Sequence, residues 1–232
     1  MKTFILFVLV TCVYQPVPAC ADTGLAGRSV IFPKQSGDSY VELIPRRCPN
    51  LSAFTVCLRA ASEASSNYVL FSYATSHDAN ELLIWQGNHG RLVLYLGKLE
   101  VRFSLPEMNA LLRHTCVTWE ARSHLVTVWV NGERTLQKRI QKAFVHGGGA
   151  IILGQEQDKV RGGFDTVQSF VGEITDVNMW DHALKACEVK TISQGLHCAG
   201  GNIISWASVR FIAKGTVHIK NNNDCTGQQI VG

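Results

Sequence analysis

Short runs of aromatic and β-branched residues recur along the chain, and polar or glycine-containing turns separate them. The runs occupy residues 40–44, 54–58, 69–73, 82–85, 92–96, 115–119, 125–130, 151–153, 174–180 and 216–219. Many short strands at this spacing are typical of two-layered antiparallel architectures. The pattern therefore predicts an all-β fold, either a two-sheet antiparallel β-sandwich or a jelly roll.

Two local signals add detail to this prediction. Asn131-Gly132 follows the run 125–130 and tolerates positive φ at both positions, which favours a tight hairpin turn. Residues 182–194 differ from the rest because they are rich in Ala, Leu, Lys and Glu, and Gly195 follows them as a stop signal. We predict one short α-helix near 182–194.

The first 21 residues have the composition of a secretory signal peptide. Lys2 gives a positive start, residues 4–10 are apolar, and small residues surround Cys20. The apolar run is too short for a membrane span, which takes about 20 residues. We predict cleavage after Ala21, with Ala19 as the second choice, and a secreted, extracellular chain over 22–232 without a transmembrane anchor.

The mature chain has the length of one large β domain. Its cysteines are even in number, which suggests three disulfides in an oxidising compartment, although six cysteines allow 15 connectivities. They are Cys48, Cys57, Cys116, Cys187, Cys198 and Cys225. No close Cys-x-x-Cys pair occurs, so the cysteine pattern does not favour a zinc or redox site.

Charge and one short motif narrow the range of partners and modifications. The formal net charge of +4 becomes +3 without Lys2, and the basic residues are scattered. This distribution predicts no nucleic-acid-specific site. Asn50-Leu51-Ser52 is an acceptor triplet for N-glycosylation in a secreted chain, although such triplets also arise by chance.

A polar segment after the run 151–153 carries the most informative chemistry. It supplies carboxylates and amides from Gln155, Glu156, Gln157, Asp158, Asp165 and Gln168. Calcium binds six to eight oxygens of these types, and Gly162-Gly163 permits a sharp turn. The spacing is not that of an EF-hand, so the residues alone favour a solvated polar loop, with a calcium site as the alternative.

The calcium interpretation gains support over the solvated loop from a second segment, His114-Thr115-Cys116-Val117-Thr118-Trp119. It resembles the signature of the pentraxins, although Ala121 stands where the full pattern ends in a hydroxyl residue. Other segments that resemble the family are 30–34, 53–58, 71–75, 151–158 and 177–180. The resemblance implies a short pentraxin of the C-reactive protein and serum amyloid P component type. It also implies a legume-lectin-like or laminin-G-like sandwich with its core at about 27–206 and a tail at 221–232.

By this resemblance, the polar loop binds calcium. Glu156 and Asp158 contribute carboxylates, and Gln157 contributes its backbone carbonyl. Asp165 and Gln168 match the family's acidic and amide ligands in type.

The family completes the site with an Asp-Asn pair from the loop 76–81. Asn80 matches the Asn, but Ala79 stands at the Asp position, and Asp78 could replace it only if the loop shifts. A missing carboxylate removes both an oxygen and a charge, which weakens calcium binding. We therefore expect two Ca²⁺ ions per subunit, with weaker binding at the site that uses Asn80.

The resemblance also implies a ligand whose phosphate or acetal carboxylate completes the calcium coordination. In C-reactive proteins, an aromatic residue and an acid together hold a choline group. Trp85 takes the position of that aromatic residue here, and Glu100 takes the position of the acid. A quaternary ammonium binds through aromatic faces and opposite charge. Tyr95 falls in the wall of the same pocket. Its bulk at this position resembles serum amyloid P component more than C-reactive protein. Ordinary core, strand and surface roles are the alternatives for these three residues. The expected ligands are phosphocholine, phosphoethanolamine or related phosphate and sugar groups.

The family further implies a disulfide between Cys57 and Cys116 and a ring of subunits, usually a pentamer. Complement components are additional expected partners. Of the other cysteines, Cys187 is close enough in sequence to Cys198 for a local bridge. Cys48 and Cys225 then pair with each other, or one of them links subunits.

An adhesion module of the laminin-G type and a glycosidase are the competing interpretations. Glu156-Gln157-Asp158 begins the Glu-x-Asp-x-x-Glu pattern of jelly-roll glycosidases, but Arg161 stands at the third acid. No Gly-x-Ser-x-Gly motif of an esterase occurs. We therefore predict no enzymatic activity, and calcium-dependent pattern recognition in innate, acute-phase immunity.

Overall fold

A computed structural model describes residues 24–196 and 199–222 of this chain. The signal peptide predicted over 1–21, its cleavage site, Cys198 and Cys225 lie outside the described residues. Among the described residues, no helix has the length and apolar character needed to cross a membrane.

The described residues form fifteen β-strands and one α-helix. The strands are Arg28–Phe32 (β1), Tyr40–Ile44 (β2), Ala53–Ala61 (β3), Tyr68–Ala74 (β4), Leu82–Gln86 (β5), Arg91–Leu96 (β6), Leu99–Ser104 (β7), Arg113–Glu120 (β8), Leu125–Val130 (β9), Glu133–Arg134 (β10), Lys138–Arg139 (β11), Ala150–Leu153 (β12), Gly172–Trp180 (β13), Arg210–Lys214 (β14) and His218–Asn221 (β15). The helix is Ala186–Ser193 (α1), and a 3-10 turn covers Thr166–Gln168.

The strands pair into two antiparallel sheets. An eight-stranded sheet has the order β10-β9-β8-β3-β13-β1-β15, with β11 also paired to β9. A seven-stranded sheet has the order β14-β2-β12-β4-β5-β6-β7. Strands β14 and β15 lie beyond the predicted core of 27–206 and extend one sheet each. The predicted fold class, a two-sheet antiparallel sandwich with one short helix, is confirmed.

Strand register decides which side chains face the core and which face outward. Phe71 pairs with Ile84, which pairs with Leu94, and all three lie in the main buried cluster. Their neighbours Ser72 and Leu83 pair with each other and point to the opposite, outer face, because successive strand residues alternate. This outer face of the seven-stranded sheet carries the candidate site.

The Asn131-Gly132 turn has the geometry that its sequence favours. Both residues have positive φ, 50° at Asn131 and 84° at Gly132. Because two such residues match the twist of the flanking strands, β9 and β10 pair directly across the turn.

The helix is shorter than predicted and begins four residues later than His182. His182 is held in the preceding segment because its carbonyl accepts a hydrogen bond from Thr55 Oγ1 at 2.7 Å, and Thr55 Oγ1 in turn accepts one from Leu184 N at 2.9 Å. The helix then begins after Lys185, whose N–H donates to the Glu188 carboxylate at 2.7 Å. It ends at Ser193, one residue before the predicted end.

Candidate metal centre and ligand groove

The predicted calcium loop connects β12 to β13 and crosses the outer face of the seven-stranded sheet. The Gln157 side chain anchors it, because its amide nitrogen donates to Ser72 O at 3.2 Å and to Ala150 O at 3.1 Å. Its Oε1 accepts from Arg161 N at 2.9 Å. With the amide engaged in this way, any bond from Gln157 to a metal has to come from its backbone carbonyl, the group that the resemblance implies.

A tight turn gives the loop its shape. Lys159 and Gly162 exchange backbone hydrogen bonds of 3.2 and 2.9 Å. Arg161 in this turn has a φ of 60°, and its guanidinium binds Glu42 on β2 through contacts of 2.7 and 2.8 Å. At Gly163, with a φ of 74°, a Cβ atom would lie only 2.6 Å from the Cβ of Asp158. Glycine at this position therefore allows the chain to return past Asp158.

Glu156 is the electrostatic centre of the loop. It is only 5 % exposed, and burial is the main cause that raises its pKa to about 7. The charges of Asp158 and Asp165 raise it further, whereas a hydrogen bond from the Asn80 side chain opposes them. Asp158 and Asp165 therefore both act on Glu156, and the Asn80 side chain contacts it. Such a concentration of negative charge favours a bound cation.

Oε1 of Gln155, which is outside the predicted ligand set, is buried without a hydrogen-bond partner. Two amide oxygens of the predicted ligand set are in the same state, Oδ1 of Asn80 and Oε1 of Gln168. A buried polar oxygen left unpaired is costly, and calcium prefers amide and carboxylate oxygens. Both residues belong to the predicted ligand set, and their amide oxygens fit calcium in chemical type.

Asp165 and Asp78 use part of their carboxylates locally. Asp165 Oδ1 accepts from Val167 N at 3.1 Å and so caps the short 3-10 turn that leads to Gln168. Asp78 Oδ1 accepts from Asn80 N at 2.9 Å. Asp165 acts on the pKa of Glu156, whereas Asp78 is not among the groups that shift it. Asp165 therefore acts electrostatically on Glu156, whereas Asp78 shapes the Asn80 loop.

Glu81 supports this loop and was missed in the sequence analysis. Its carboxylate is fully buried and contacts Lys142 Nζ at 3.0 Å and His146 Nδ1 at 3.0 Å. Burial acts to raise its pKa, but hydrogen bonds from His146 N and Lys142 lower it overall. The sequence offered one signal, an acid placed between Asn80 and an apolar strand, but its partners lie more than 60 residues away.

Trp85 and Tyr95 line one groove on the same outer face. Trp85 pairs with Val93 across β5 and β6, and Val93 pairs with Arg102 on β7. The groove has a volume of about 350 Å³ and includes Arg102 in its lining. Trp85 and Tyr95 are both partly exposed.

Glu100 pairs with Tyr95 in the strand register. Burial is the main cause that raises the pKa of Tyr95, and the charge of Glu100 and a hydrogen bond to its carboxylate add to this. The charge of Glu156 acts in the same direction, so the groove adjoins the metal centre. Glu100 Oε1 also contacts Arg102 Nη2 in an ion pair that the sequence analysis missed.

The predicted disulfide between Cys57 and Cys116 is confirmed. His114 lies against it, with Nε2 at 3.5 Å from Cys116 Sγ. These three side chains have the composition of a metal site, but the disulfide occupies both sulfurs.

The other predicted modification and cysteine sites stay predictions. Asn50 is exposed, and its Oδ1 accepts from Gly147 N at 2.8 Å. Cys48 is partly exposed, with Sγ at 3.2 Å from the Tyr73 hydroxyl, and Cys187 is exposed; neither forms a disulfide with another described residue.

Comparisons with known proteins agree in pointing to one family. A family model described as the Pentaxin family matches residues 28–221. Serum amyloid P-component of Mesocricetus auratus is 42% identical over 203 residues, which cover 87% of this chain and 86% of the relative. C-reactive protein of Sus scrofa is 38% identical over 203 residues, which cover 87% of this chain and 90% of the relative. A native heptameric SAP-like pentraxin from Limulus polyphemus has a similar structure, with a TM-score of 0.75, 25% identity and coverage of 88% of this chain and 99% of that one.

Proposed function

The chain belongs to the pentaxin family, and from this premise we propose that it is a secreted recognition protein that holds its ligands through calcium. Relatives named C-reactive protein and serum amyloid P-component are non-enzymatic pattern-recognition proteins of innate immunity. This chain is accordingly a pattern-recognition protein and not an enzyme.

The single observation that carries the calcium proposal is the buried acid Glu156 together with unpaired amide oxygens in the predicted ligand set. The charges of Asp158 and Asp165 act on the Glu156 carboxylate, and Asn80 and Gln168 have buried amide oxygens without a hydrogen-bond partner. A divalent ion would neutralise this charge and satisfy both amides. We propose two ions per subunit. The one that uses Asn80 binds more weakly, because Ala79 supplies a methyl group where a carboxylate is expected.

The ligand completes the calcium coordination with an anionic oxygen, either of a phosphate or of an acidic sugar. The rest of the ligand lies in the groove of Trp85 and Tyr95, next to Glu100. Phosphocholine and phosphoethanolamine are the head groups expected from the family, and acidic sugars are the third candidate.

Assembly into a ring of identical subunits is the proposed quaternary structure. A ring places several copies of one weak site on one particle, which raises avidity for a repetitive surface. The relative from Limulus polyphemus is a heptamer, and a pentamer is the expectation for this chain. Sedimentation equilibrium on the purified protein measures the number directly. Complement components are proposed partners of the assembled ring.

The test is binding to phosphocholine-agarose and phosphoethanolamine-agarose with millimolar calcium and with excess EDTA. We expect retention in calcium and release by the chelator. Glu156→Gln should abolish retention, whereas Glu133→Gln, an exposed acid on β10 of the opposite sheet, should leave it unchanged. Equal retention in calcium and EDTA would contradict the proposal and favour an adhesion module that recognises partners without metal.

A further inference from the structure

Strand β2 contacts the predicted calcium loop through two side chains on one face of the strand. We propose that Tyr40 and Glu42 form a clamp that positions this loop before calcium binds, and that calcium affinity depends on the ion pair between Glu42 and Arg161. The proposal rests on the calcium binding proposed above. It assigns positioning residues to that site in a strand that contributes no predicted ligand.

The alternation of side chains along β2 decides which residues form the clamp. Val41 and Leu43 belong to the main buried cluster, so Tyr40 and Glu42 point to the opposite, outer face of the sheet. Glu42 pairs in register with Ile152 of β12, the strand from which the loop emerges. β2 lies between β14 and β12 and is therefore an inner strand of its sheet. The clamp is thus built on a rigid element beside the start of the loop.

Glu42 holds Arg161 at the turn of the loop. Its Oε1 accepts hydrogen bonds from Nε and Nη2 of Arg161 at 2.8 and 2.7 Å. The Glu42 side chain is only 10% exposed, and a shielded acid of this kind is costly to leave unpaired. Arg161 also has a positive φ, which is unfavourable for any residue with a Cβ and persists only where other contacts hold it. The ion pair supplies such a contact.

Tyr40 holds the loop three residues further along the chain. Its ring packs against the ring of Phe164, with centroids 5.0 Å apart and an angle of 52° between the planes. Phe164 directly precedes Asp165, so this contact restrains the backbone next to a predicted ligand. The two contacts of β2 therefore hold the turn 161–164, which separates the predicted ligands Asp158 and Asp165. A loop that is already ordered loses less conformational entropy when it binds an ion.

Positioning and simple charge predict opposite signs for one of the two partners. Arg161 is a cation in the loop that carries the predicted ligands, so by Coulomb's law its removal should strengthen calcium binding, whereas removal of Glu42 should weaken it. If the ion pair positions the loop, removal of either partner weakens calcium binding. The sign of the effect of Arg161→Gln therefore decides between the two explanations.

The first experiment is calcium titration of the full-length protein by calorimetry. We expect Glu42→Gln and Arg161→Gln each to lose about three- to fivefold in calcium affinity, and Arg161→Lys, which keeps the charge, to recover most of the loss. Arg161→Gln retains the backbone N–H that bonds to the Gln157 side chain. The matched control is Arg47→Gln, which removes an arginine of similar exposure from an ion pair with Asp181 and should leave calcium affinity unchanged.

The second experiment needs no calcium. Limited digestion with trypsin in excess EDTA is followed by mass spectrometry at the bond between Arg161 and Gly162. We expect this bond to be cut about five- to tenfold faster in Glu42→Gln than in the wild type, and about threefold faster in Tyr40→Leu, because the released loop opens more often. Cleavage after Arg134, an exposed arginine on β10 of the other sheet, is the internal reference. Its rate should not change, whereas global destabilisation would raise both rates.

The outcomes test the clamp and the calcium site separately. A higher calcium affinity of Arg161→Gln, or wild-type affinity in both Gln variants, would overturn the dependence of calcium binding on the ion pair. Equal cleavage after Arg161 in the wild type, Glu42→Gln and Tyr40→Leu would overturn the clamp itself. Failure of the wild type to bind calcium would contradict the proposed function, while the digestion in EDTA would still decide whether β2 holds the loop.

Discussion

At the scale of single residues, the site is defined by groups that lack a partner. Asn80 and Gln168 keep buried oxygens unpaired, and Glu156 is buried beside two other acids. The resemblance named these residues as one ligand set, because family patterns record ligands whose spacing follows no simple rule, and their binding of calcium stays a prediction. It did not reveal Arg102 or Glu81. The partners of both residues depend on strand register and loop packing, which the sequence does not show directly.

Replacing Ala79 by Asp should restore the expected acid of the first calcium site. We expect calcium affinity at that site to rise about tenfold, because a carboxylate adds both an oxygen and a charge. Calcium titration by calorimetry measures this. Ser76→Asp adds the same charge to an exposed position of the same loop and should have little effect. Equal affinities for wild type and Ala79→Asp would show that position 79 does not face the metal.

His114 should make folding stability depend on pH. It is 2 % exposed, and burial, followed by the charge of Arg59, lowers its pKa to about 4 from the ordinary 6.5. The unfolded chain therefore binds a proton between these values that the folded chain rejects. The contribution to stability is complete above pH 6.5 and is lost as the pH falls towards 4, by about 3 kcal/mol in total.

Urea unfolding of wild type and His114→Gln between pH 4 and 7 measures this effect. The difference in unfolding free energy between the two proteins should change with pH over that window. A pH-independent difference for His114→Gln would contradict the low pKa.

At the scale of elements, the hydrophobic pattern located most strands with buried faces, but it missed the partly buried β1 and several exposed strands. β7 and β14 carry mostly exposed side chains, and each is the terminal strand of the seven-stranded sheet. Such strands are held by main-chain pairing on one side, so their sequences need little hydrophobic alternation. The helix was located, but its start was placed too early because hydrogen bonds to Thr55 outweigh the local helix propensity of residues 182–185.

The loop between β12 and β13 depends on Gln157. Gln157→Met should leave Ser72 and Ala150 carbonyls and the Arg161 N–H without their partner, which destabilises the protein by about 1–3 kcal/mol. Calcium affinity should fall about tenfold, because the loop loses its anchor on the sheet. Thermal unfolding with and without calcium tests both effects, with the exposed Gln137→Met as control. Unchanged calcium affinity would show that the loop is positioned by other contacts.

At the scale of the whole molecule, the disulfide ties two neighbouring strands of the eight-stranded sheet. Cys57 and Cys116 are 59 residues apart and pair directly in the β3–β8 register. Closing a loop of this size stabilises the folded state by about 4 kcal/mol in the chain-entropy model.

We expect Cys57→Ala/Cys116→Ala to lose about that much unfolding free energy while still folding, because the large apolar core remains. Denaturant unfolding measures the loss. Leu136→Ala, at a highly exposed position between β10 and β11, is the comparison and should change stability little. A double variant as stable as the wild type would contradict the chain-entropy estimate.

The position of Arg102 on β7 has a further consequence for the behaviour of the protein in solution. β7 ends its sheet, so one row of its backbone N–H and C=O groups has no neighbouring strand among the described residues. Open edges of this kind promote aggregation, and outward charges on them discourage it. The charge of Arg102 therefore also discourages pairing of this edge with another molecule. An apolar replacement such as Arg102→Leu would raise the risk of edge-to-edge polymerisation, which light scattering would detect.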